Sequence, residues 1–403
     1  MNNITFKKNF LLFIIFSIIF AVFFLYIKHN VGNDSSISEW LINYNGGFTK
    51  RGIGGEIAIM IANLFELSLR QSIFFVQSLA HITYLVLIFF YLKNLKVNII
   101  QVFAIYVPLF LLYPIAEIEA LGRKEIFLFL SFIVALFLCE KKNSKKYINI
   151  YSFFILPIVI LLYEEVVLFF PFFAAVIIIQ NNLNTFSKVF KNLLIIFFPS
   201  ILTFAYVWLN PLSAEGHVAM CAYLQSEFGE RCYMSANLLV ANTIYFSTFD
   251  VVHHNANLGH YIRYILIFLI GFFPLNLLVS QNKFLKKNNF ITNNFKLNIL
   301  FFLLYSPSIL LFIYGYDWGR WIHITYSFSI LFYIYLFKNS IISNDLKIKN
   351  HLWNKIVKNK ILVSIIFLIF AFSWNPKTVL TGDIASFPGY RIPYKAFKII
   401  NNW

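Results

Sequence analysis

Charge is what this chain has least of. Only 12% of its 403 residues are Asp, Glu, Lys or Arg, roughly half the share of a soluble domain, while 60% are hydrophobic and the mean hydropathy is +0.73. That shortage excludes an ordinary soluble fold and leaves an all-α, polytopic integral membrane protein in a single transmembrane domain, 1–403. Acids are scarcer than bases, 17 against 33, for a net charge of +16. In a soluble chain such an excess would suggest a nucleic-acid partner. Here the lysines sit in short loops between apolar runs, where positive charge sets topology, so no nucleic acid is expected. Cysteine is nearly absent at three residues, and no Cys/His spacing has the pattern of a zinc site. No metal and no cofactor are therefore expected, and His253, His254 and His260 read as solvated loop. There is no internal repeat, which argues against a transporter of symmetric halves. No small-residue cleavage site follows the first apolar run, so that run is expected to stay as a membrane helix.

What the chain has is hydrophobic length. Eleven apolar runs are long enough to cross a bilayer, at about 9–27, 71–92, 97–116, 125–139, 147–163, 166–180, 192–209, 261–280, 297–315, 320–337 and 360–375. The run 53–69 is left out. Its polar residues Glu56, Asn63, Glu66 and Arg70 fall on one helical face, as in an amphipathic helix lying in the interface. With the N-terminus cytoplasmic, this count places 20 of the 33 basic residues inside, all lysine, in line with the positive-inside rule. It also places all seven arginines and 15 of the 17 acids on the outer side. A planar, permanently charged guanidinium is the better ligand for diphosphate or carboxylate, so the asymmetry points to an outward-facing anion site. The outer segments are a first loop, 28–70, a large loop, 210–260, and a C-terminal tail, 376–403, with an ordered turn at Pro388–Pro393. Cys221 and Cys232 lie in the large loop and can close a short disulfide.

Four outer features carry chemistry. The turn from Asn43 to Gly52 sets Lys50 and Arg51 beside Gly46 and Gly47, where backbone amides can approach an anion, or it simply joins two helices. The short segment 117–125 holds five charges. Glu117 and Glu119 can take a proton or orient a hydroxyl, Arg123 and Lys124 can neutralise phosphate, and Glu125 either pairs with Lys124 or caps the next helix. Glu164 and Glu165 follow Tyr163 between two apolar runs, as an acidic surface turn or with one carboxylate in a wet cavity. From Tyr316 to His323, Asp317 can cap a helix while Arg320 reaches inward. Trp318 and Trp321 suit an interfacial belt or stacking on a sugar, and His323 is a candidate base. Together, Lys50, Arg51, Arg123, Lys124 and Arg320 form a candidate diphosphate site. Glu117, Glu119, Glu164, Asp317 and His323 are its candidate acids and bases.

In architecture the chain resembles the Wzy-type O-antigen polymerases, and its segments Gly46–Gly52, Gly122–Glu125 and Asp317–Trp321 look like motifs of membrane proteins from polysaccharide gene clusters. The resemblance implies metal-independent, inverting transfer of undecaprenyl-diphosphate-linked oligosaccharide at the periplasmic face of the bacterial inner membrane. A periplasmic C-terminus and a chain-length regulator as partner go with it. The chain also resembles GT-C membrane glycosyltransferases, through a first outer loop with an interfacial helix. That resemblance implies transfer of one sugar from a polyprenyl-phosphate donor and puts the weight on Glu39 or Glu56. A lipid-linked oligosaccharide flippase is the third reading, and it expects charges inside the crossings.

Overall fold

The computed structural model describes residues 3–30, 35–232, 239, 256–315, 317–343, 359–379, 397, 400 and 401. His253, His254, Tyr316 and the Pro388–Pro393 turn lie outside the described residues, as does most of the tail. The described residues are helical, with one isolated bridge between Phe284 and Ile342 and no strand.

In chain order the principal helices are α1 (Asn3–Asn30), α2 (Ile53–Phe65), α3 (Leu69–Leu92), α4 (Ile99–Ile105), α5 (Ile126–Leu138), α6 (Ser144–Leu162) and α7 (Phe170–Asn181). They continue with α8 (Phe186–Leu209), α9 (Ala214–Phe228), α10 (Leu258–Gln281), α11 (Leu297–Tyr305), α12 (Ile309–Tyr314), α13 (Trp318–Lys338) and α14 (Lys360–Phe372). Six helical stretches are long and apolar enough to cross a membrane: Phe6–His29, Leu69–Leu92, Ser144–Leu162, Glu164–Asn181, Phe186–Leu209 and Leu258–Gln281. Their outer faces carry Leu12, Phe16, Phe23, Phe190, Phe198 and Leu202, all exposed, as a surface in hydrocarbon requires. This is a membrane protein.

Of the remaining apolar runs, 320–337 forms one unbroken 21-residue helix, α13, and the others are helical but shorter or broken. The run 97–116 stops at Ile105, ahead of Pro108, which lacks an amide hydrogen to continue the ladder. The backbone carbonyl this frees is taken by the central helix, Ala104 O accepting from Tyr326 Oη at 2.8 Å, and beyond the break Leu109 O lies 2.9 Å from His323 Nδ1. The run 297–315 is likewise divided by a 3₁₀ turn, Ser306–Ser308. Such breaks are tolerated at membrane depth only where protein surrounds them.

That surrounding centres on α13, buried at every position from Trp318 to Leu336. A helix apolar on all sides belongs in a core. Phe328 stacks on Phe132 and Phe169 with ring centroids 4.6 and 4.8 Å apart. The hydroxyls of α13 bond within the bundle, Thr325 Oγ1 to Ser308 Oγ at 3.0 Å and Ser329 Oγ to Thr325 O at 2.7 Å.

The bundle has two chemically distinct ends. The start of α5, the end of α6 and the start of α13 meet at one. At the other, Lys338 reaches Glu140 at 2.6 Å and Gln180 bridges Tyr335 and Ser144. The lysines 141, 142, 145 and 146 follow Glu140, so they belong to this second end.

Helix α2 covers only the first part of the run read as interfacial: it ends at Phe65, Glu66 is its left-handed C-cap and Arg70 stands on α3, so the four polar residues do not share one helical face. Its 13 residues span about 20 Å, short of a roughly 30 Å hydrocarbon core. Small residues Gly54, Gly55, Ala58 and Ala62 face the protein, while Met60, Leu64 and Phe65 are exposed.

A candidate active site at one end of the bundle

The first loop is folded inward rather than spread over the surface. Trp40 is fully buried and its Nε1 donates to Gly122 O at 2.7 Å; Gln77 Nε2 donates to the same carbonyl at 3.0 Å. These bonds hold the first loop against the segment carrying Arg123, Lys124 and Glu125. The turn is closed from above by α9. A Cβ built on Gly46 would lie 1.8 Å from Gly216 O, so glycine is required for the two backbones to touch. Cys221 and Cys232 are joined by a disulfide, and Arg70 Nη2 donates to Glu230 Oε2 at 2.9 Å, fastening the end of this segment to α3.

Arg51 occupies the centre. Its Nε and Nη2 donate to the two oxygens of Glu164 at 2.8 and 3.0 Å, a bidentate fork. Nη1 donates to Glu39 Oε1 and Nη2 to Glu165 Oε1, both at 3.0 Å, and the guanidinium lies 4.5 Å from the centroid of the Tyr163 ring. Its backbone φ is +63°, a region that disfavours residues with a Cβ, so the surrounding contacts hold it there. Burial lowers the proton affinity of Arg51, but Glu164, Tyr163, Glu165 and Glu39 outweigh it and hold the group well above its ordinary range.

Around this centre stand nine more charged side chains. Lys50 Nζ is 3.3 Å from Glu164. Arg123 Nη1 stands 3.8 Å from Glu39 Oε2. Arg320 contacts Glu125 at 3.0 Å and Asp317 at 3.1 Å, and its Nη2 donates to Tyr163 Oη at 3.2 Å. Burial raises the Glu39 carboxyl, yet Arg51, Arg123, Arg320 and Lys124 overcome that and hold it below the usual range. Lys124 is fully buried, with Nζ donating to Arg51 O at 2.6 Å and lying 5.7 Å from the Trp40 ring. Burial, helped by Arg51 and opposed by Glu39 and Glu164, lowers the Lys124 ammonium to about 7. Five acids and five bases thus come from four separated segments. The floor is Glu39, Arg123, Lys124, Glu125 and Arg320; the mouth, with side chains 14–30% exposed, is Lys50, Arg51, Glu164, Glu165 and Asp317.

All five expected phosphate-binding cations are therefore in one cluster, with Glu164 and Asp317 among the expected acids. The cations meet carboxylates here, so an incoming anion must compete with those pairs. The other candidates go elsewhere. Glu117 pairs with Lys377 at 3.1 Å, and Glu119 accepts from Thr378 Oγ1 at 3.2 Å, so both tie the 117–122 segment to residues 375–378. His323 is packed 4.4 Å from the Tyr113 ring, with Nδ1 turned to the Leu109 carbonyl. Trp318 is buried among Tyr261, Tyr264 and Phe312, and Trp321 against Phe312. Glu56 accepts from the amide of Tyr44 at 2.6 Å, outside the cluster. Among the groups of the site, the sequence singles out Glu39 only under the GT-C reading and does not assign Glu125, Glu165 or the phenol of Tyr163 as its acids. The signal for the three carboxylates is the same, a charge that no apolar run explains; Tyr163 gives none.

The arrangement can hold an anion, and it offers carboxylates and an unusually acidic ammonium for proton transfer. Nothing else identifies the chain: no protein-family model, no curated protein and no solved structure matches it, so its chemistry is read from these residues.

Proposed function

We propose that this chain is a membrane glycosyltransferase that takes a polyprenyl-linked sugar phosphate at the cluster end of the bundle. The observation that carries the reading is the convergence of Lys50, Arg51, Arg123, Lys124 and Arg320 with five acids at one end of an otherwise apolar bundle. Buried charge is expensive in such a protein and accumulates where function requires it. Transfer of a sugar needs a leaving phosphate stabilised by cations and a base for the acceptor hydroxyl, and both classes of group stand here together. The guanidinium and ammonium groups would hold the phosphate in place of their present carboxylate partners. The site would face the periplasm of a bacterial inner membrane, with the Glu140–Lys338 end and its lysines in the cytoplasm, in keeping with the positive-inside rule.

Two versions of this chemistry differ in the donor. In the first, the chain is an O-antigen polymerase that joins undecaprenyl-diphosphate-linked repeat units, with a chain-length regulator as partner. In the second, it is a GT-C-type transferase adding one sugar from a polyprenyl phosphate. The place of Glu39 favours the second: it is 1% exposed and held by Arg51 at 3.0 Å, an acid of the first outer loop at the heart of the cluster. The two are separated by the lipopolysaccharide ladder of cells lacking the gene, complemented with wild type, Glu39→Gln or Arg320→Ala at matched expression. Core bearing a single repeat unit identifies the polymerase. A full ladder of altered repeat identifies the single-sugar transferase. An unchanged ladder and unchanged surface glycan refute both.

A further inference from the structure

One hydroxyl in the cluster has more partners than it has protons. Tyr163 Oη lies 2.9 Å from Glu165 Oε2 and 3.0 Å from Glu125 Oε1, and it accepts from Arg320 Nη2 at 3.2 Å. A phenol has one proton to donate and can accept two hydrogen bonds. Arg320 fills one acceptor position. The phenolic proton then serves one carboxyl, and the other completes the set only by carrying a proton itself. Both carboxyls have suitable surroundings for sharing it. Glu165 Oε1 accepts from Arg51 Nη2 at 3.0 Å, and Glu125 Oε1 is 3.0 Å from Arg320 Nε. Glu125 Oε2 is buried with no hydrogen-bond partner among the described residues, although the Glu125 side chain is only 6% exposed.

We propose that Glu165, Tyr163 and Glu125 hold one exchangeable proton between two carboxyl groups, and that Glu165, at the mouth, takes the proton of an acceptor hydroxyl. The second half rests on the sugar-transfer reading; the first does not. With the proton on Glu125 Oε1, that carboxyl donates to Tyr163 Oη, whose own proton points to Glu165, leaving Glu165 ionised and 19% exposed. As the acceptor oxygen forms its bond to the anomeric carbon, the bond from that carbon to the phosphate oxygen breaks and its electron pair leaves with the phosphate. The hydroxyl proton passes to Glu165 and from there to water, returning the relay to its starting state. Tyr163 and Glu125 are positioning residues in this scheme, and Glu165 is the catalytic one. The charged groups that face the relay are Arg51 and Glu164 on the mouth side and Arg320, itself paired with Asp317, from the start of α13. Their balance of both signs lets a carboxyl gain or lose a proton without leaving a net buried charge unopposed.

The relay is tested without substrate by infrared spectroscopy of the full chain in lipid at pH 7, hydrated in H₂O and in D₂O. Wild type should show the carbonyl stretch of a protonated carboxyl, shifted by deuteration and removed in both Glu165→Gln and Glu125→Gln. Absence of that stretch from wild type, or its survival in both variants, overturns the shared proton; the wild-type spectrum decides even where a variant fails to fold. The base role is read in sugar transfer. Glu165→Gln should lower kcat about 100-fold or more with KM changed only a few-fold. Tyr163→Phe should displace the pH profile of kcat, and Glu165→Asp should restore part of the rate. Full kcat in Glu165→Gln overturns the base role while leaving the transferase reading intact. Wild type that shows the stretch but transfers no sugar retains the relay and removes that reading.

Discussion

Replacing Arg51 by alanine withdraws four charge-assisted hydrogen bonds at once, those to Glu39, Glu165 and both oxygens of Glu164. At about 1.5–3 kcal/mol each, their plain sum would be roughly 6–12 kcal/mol. The true cost is smaller. Lys50 stays 3.3 Å from Glu164, and the Arg51 side chain is 18% exposed, so water enters as the guanidinium leaves. The measured cost of truncating one partner of a buried ion pair, about 3–5 kcal/mol, is the better guide. Cys139, the buried free cysteine, provides the assay: a thiol-reactive dye reports its exposure as the detergent-solubilised protein unfolds. At about 2 °C per kcal/mol, Arg51→Ala should melt roughly 6–10 °C below wild type. Arg51→Gly should recover about 1 kcal/mol of that, because glycine accepts the φ of +63° without penalty. Adding Glu164→Gln to Arg51→Ala should restore stability, with a coupling of about 1–3 kcal/mol, since the stranded carboxylate is then gone. An Arg51→Ala melting point within 2 °C of wild type, or strict additivity of the double variant, would refute this account of the centre.

Other expectations follow from single contacts. Lys124, lowered to about 7 in the fold from 10.5 unfolded, binds fewer protons folded than unfolded between those values, so its contribution to stability rises with pH there. Wild type should therefore gain melting temperature from pH 7 to 9 relative to Lys124→Met, and parallel pH curves would rule this out. Gly46→Ala places a methyl 1.8 Å from Gly216 O and should separate α9 from the turn, lowering the melting point by several degrees. Gly47→Ala meets no atom within 4 Å and should cost only the strain of its φ of +107°, about 1 kcal/mol. With Cys221 and Cys232 bonded, the denatured, unreduced chain should take up one maleimide and the reduced chain three, as counted by gel shift. Three without reduction would show the disulfide absent.

How much of this was legible in the sequence depended on the kind of signal. Apolar length marked the long helices of the bundle, because hydrocarbon asks nothing of a helix but its composition, but not α9, which lies in the polar stretch read as a large loop. The breaks in 97–116 and 297–315 were hidden by the same apolar uniformity: at Pro108 the Ala104 carbonyl is satisfied from Tyr326 of α13, a tertiary fact, while at Pro307 the Leu303 and Tyr305 carbonyls are taken locally by the Ser306 and Ser308 hydroxyls. In the site, Arg51, Arg123 and Arg320 stood out because a charge in so apolar a chain needs a reason. Partner choice did not stand out. Glu117 and Glu119 read as the acids of their short segment and Glu125 as a cap or a partner of Lys124, yet the 3₁₀ turn Ile118–Gly122 sends the first two toward Lys377 and Thr378, and Glu125 makes no side-chain cap but faces Arg320. His323 follows Arg320 by three residues on the same helix, but it lies almost a turn deeper, where the Leu109 carbonyl and the Tyr113 ring occupy it. Tyr163 carried no sequence signal at all among 23 tyrosines.

The most direct test of the central idea is sugar transfer by the purified chain in liposomes, supplied with labelled polyprenyl-phosphate-linked and polyprenyl-diphosphate-linked saccharides and a lipid-linked acceptor. Wild type should extend the acceptor from one of the two donors. Glu39→Gln and Arg320→Gln, with Cys139 still protected from dye, should yield no product. A wild-type chain inert toward both donors, or variants that transfer at the wild-type rate, would contradict the assignment of this cluster as a glycosyl-transfer site.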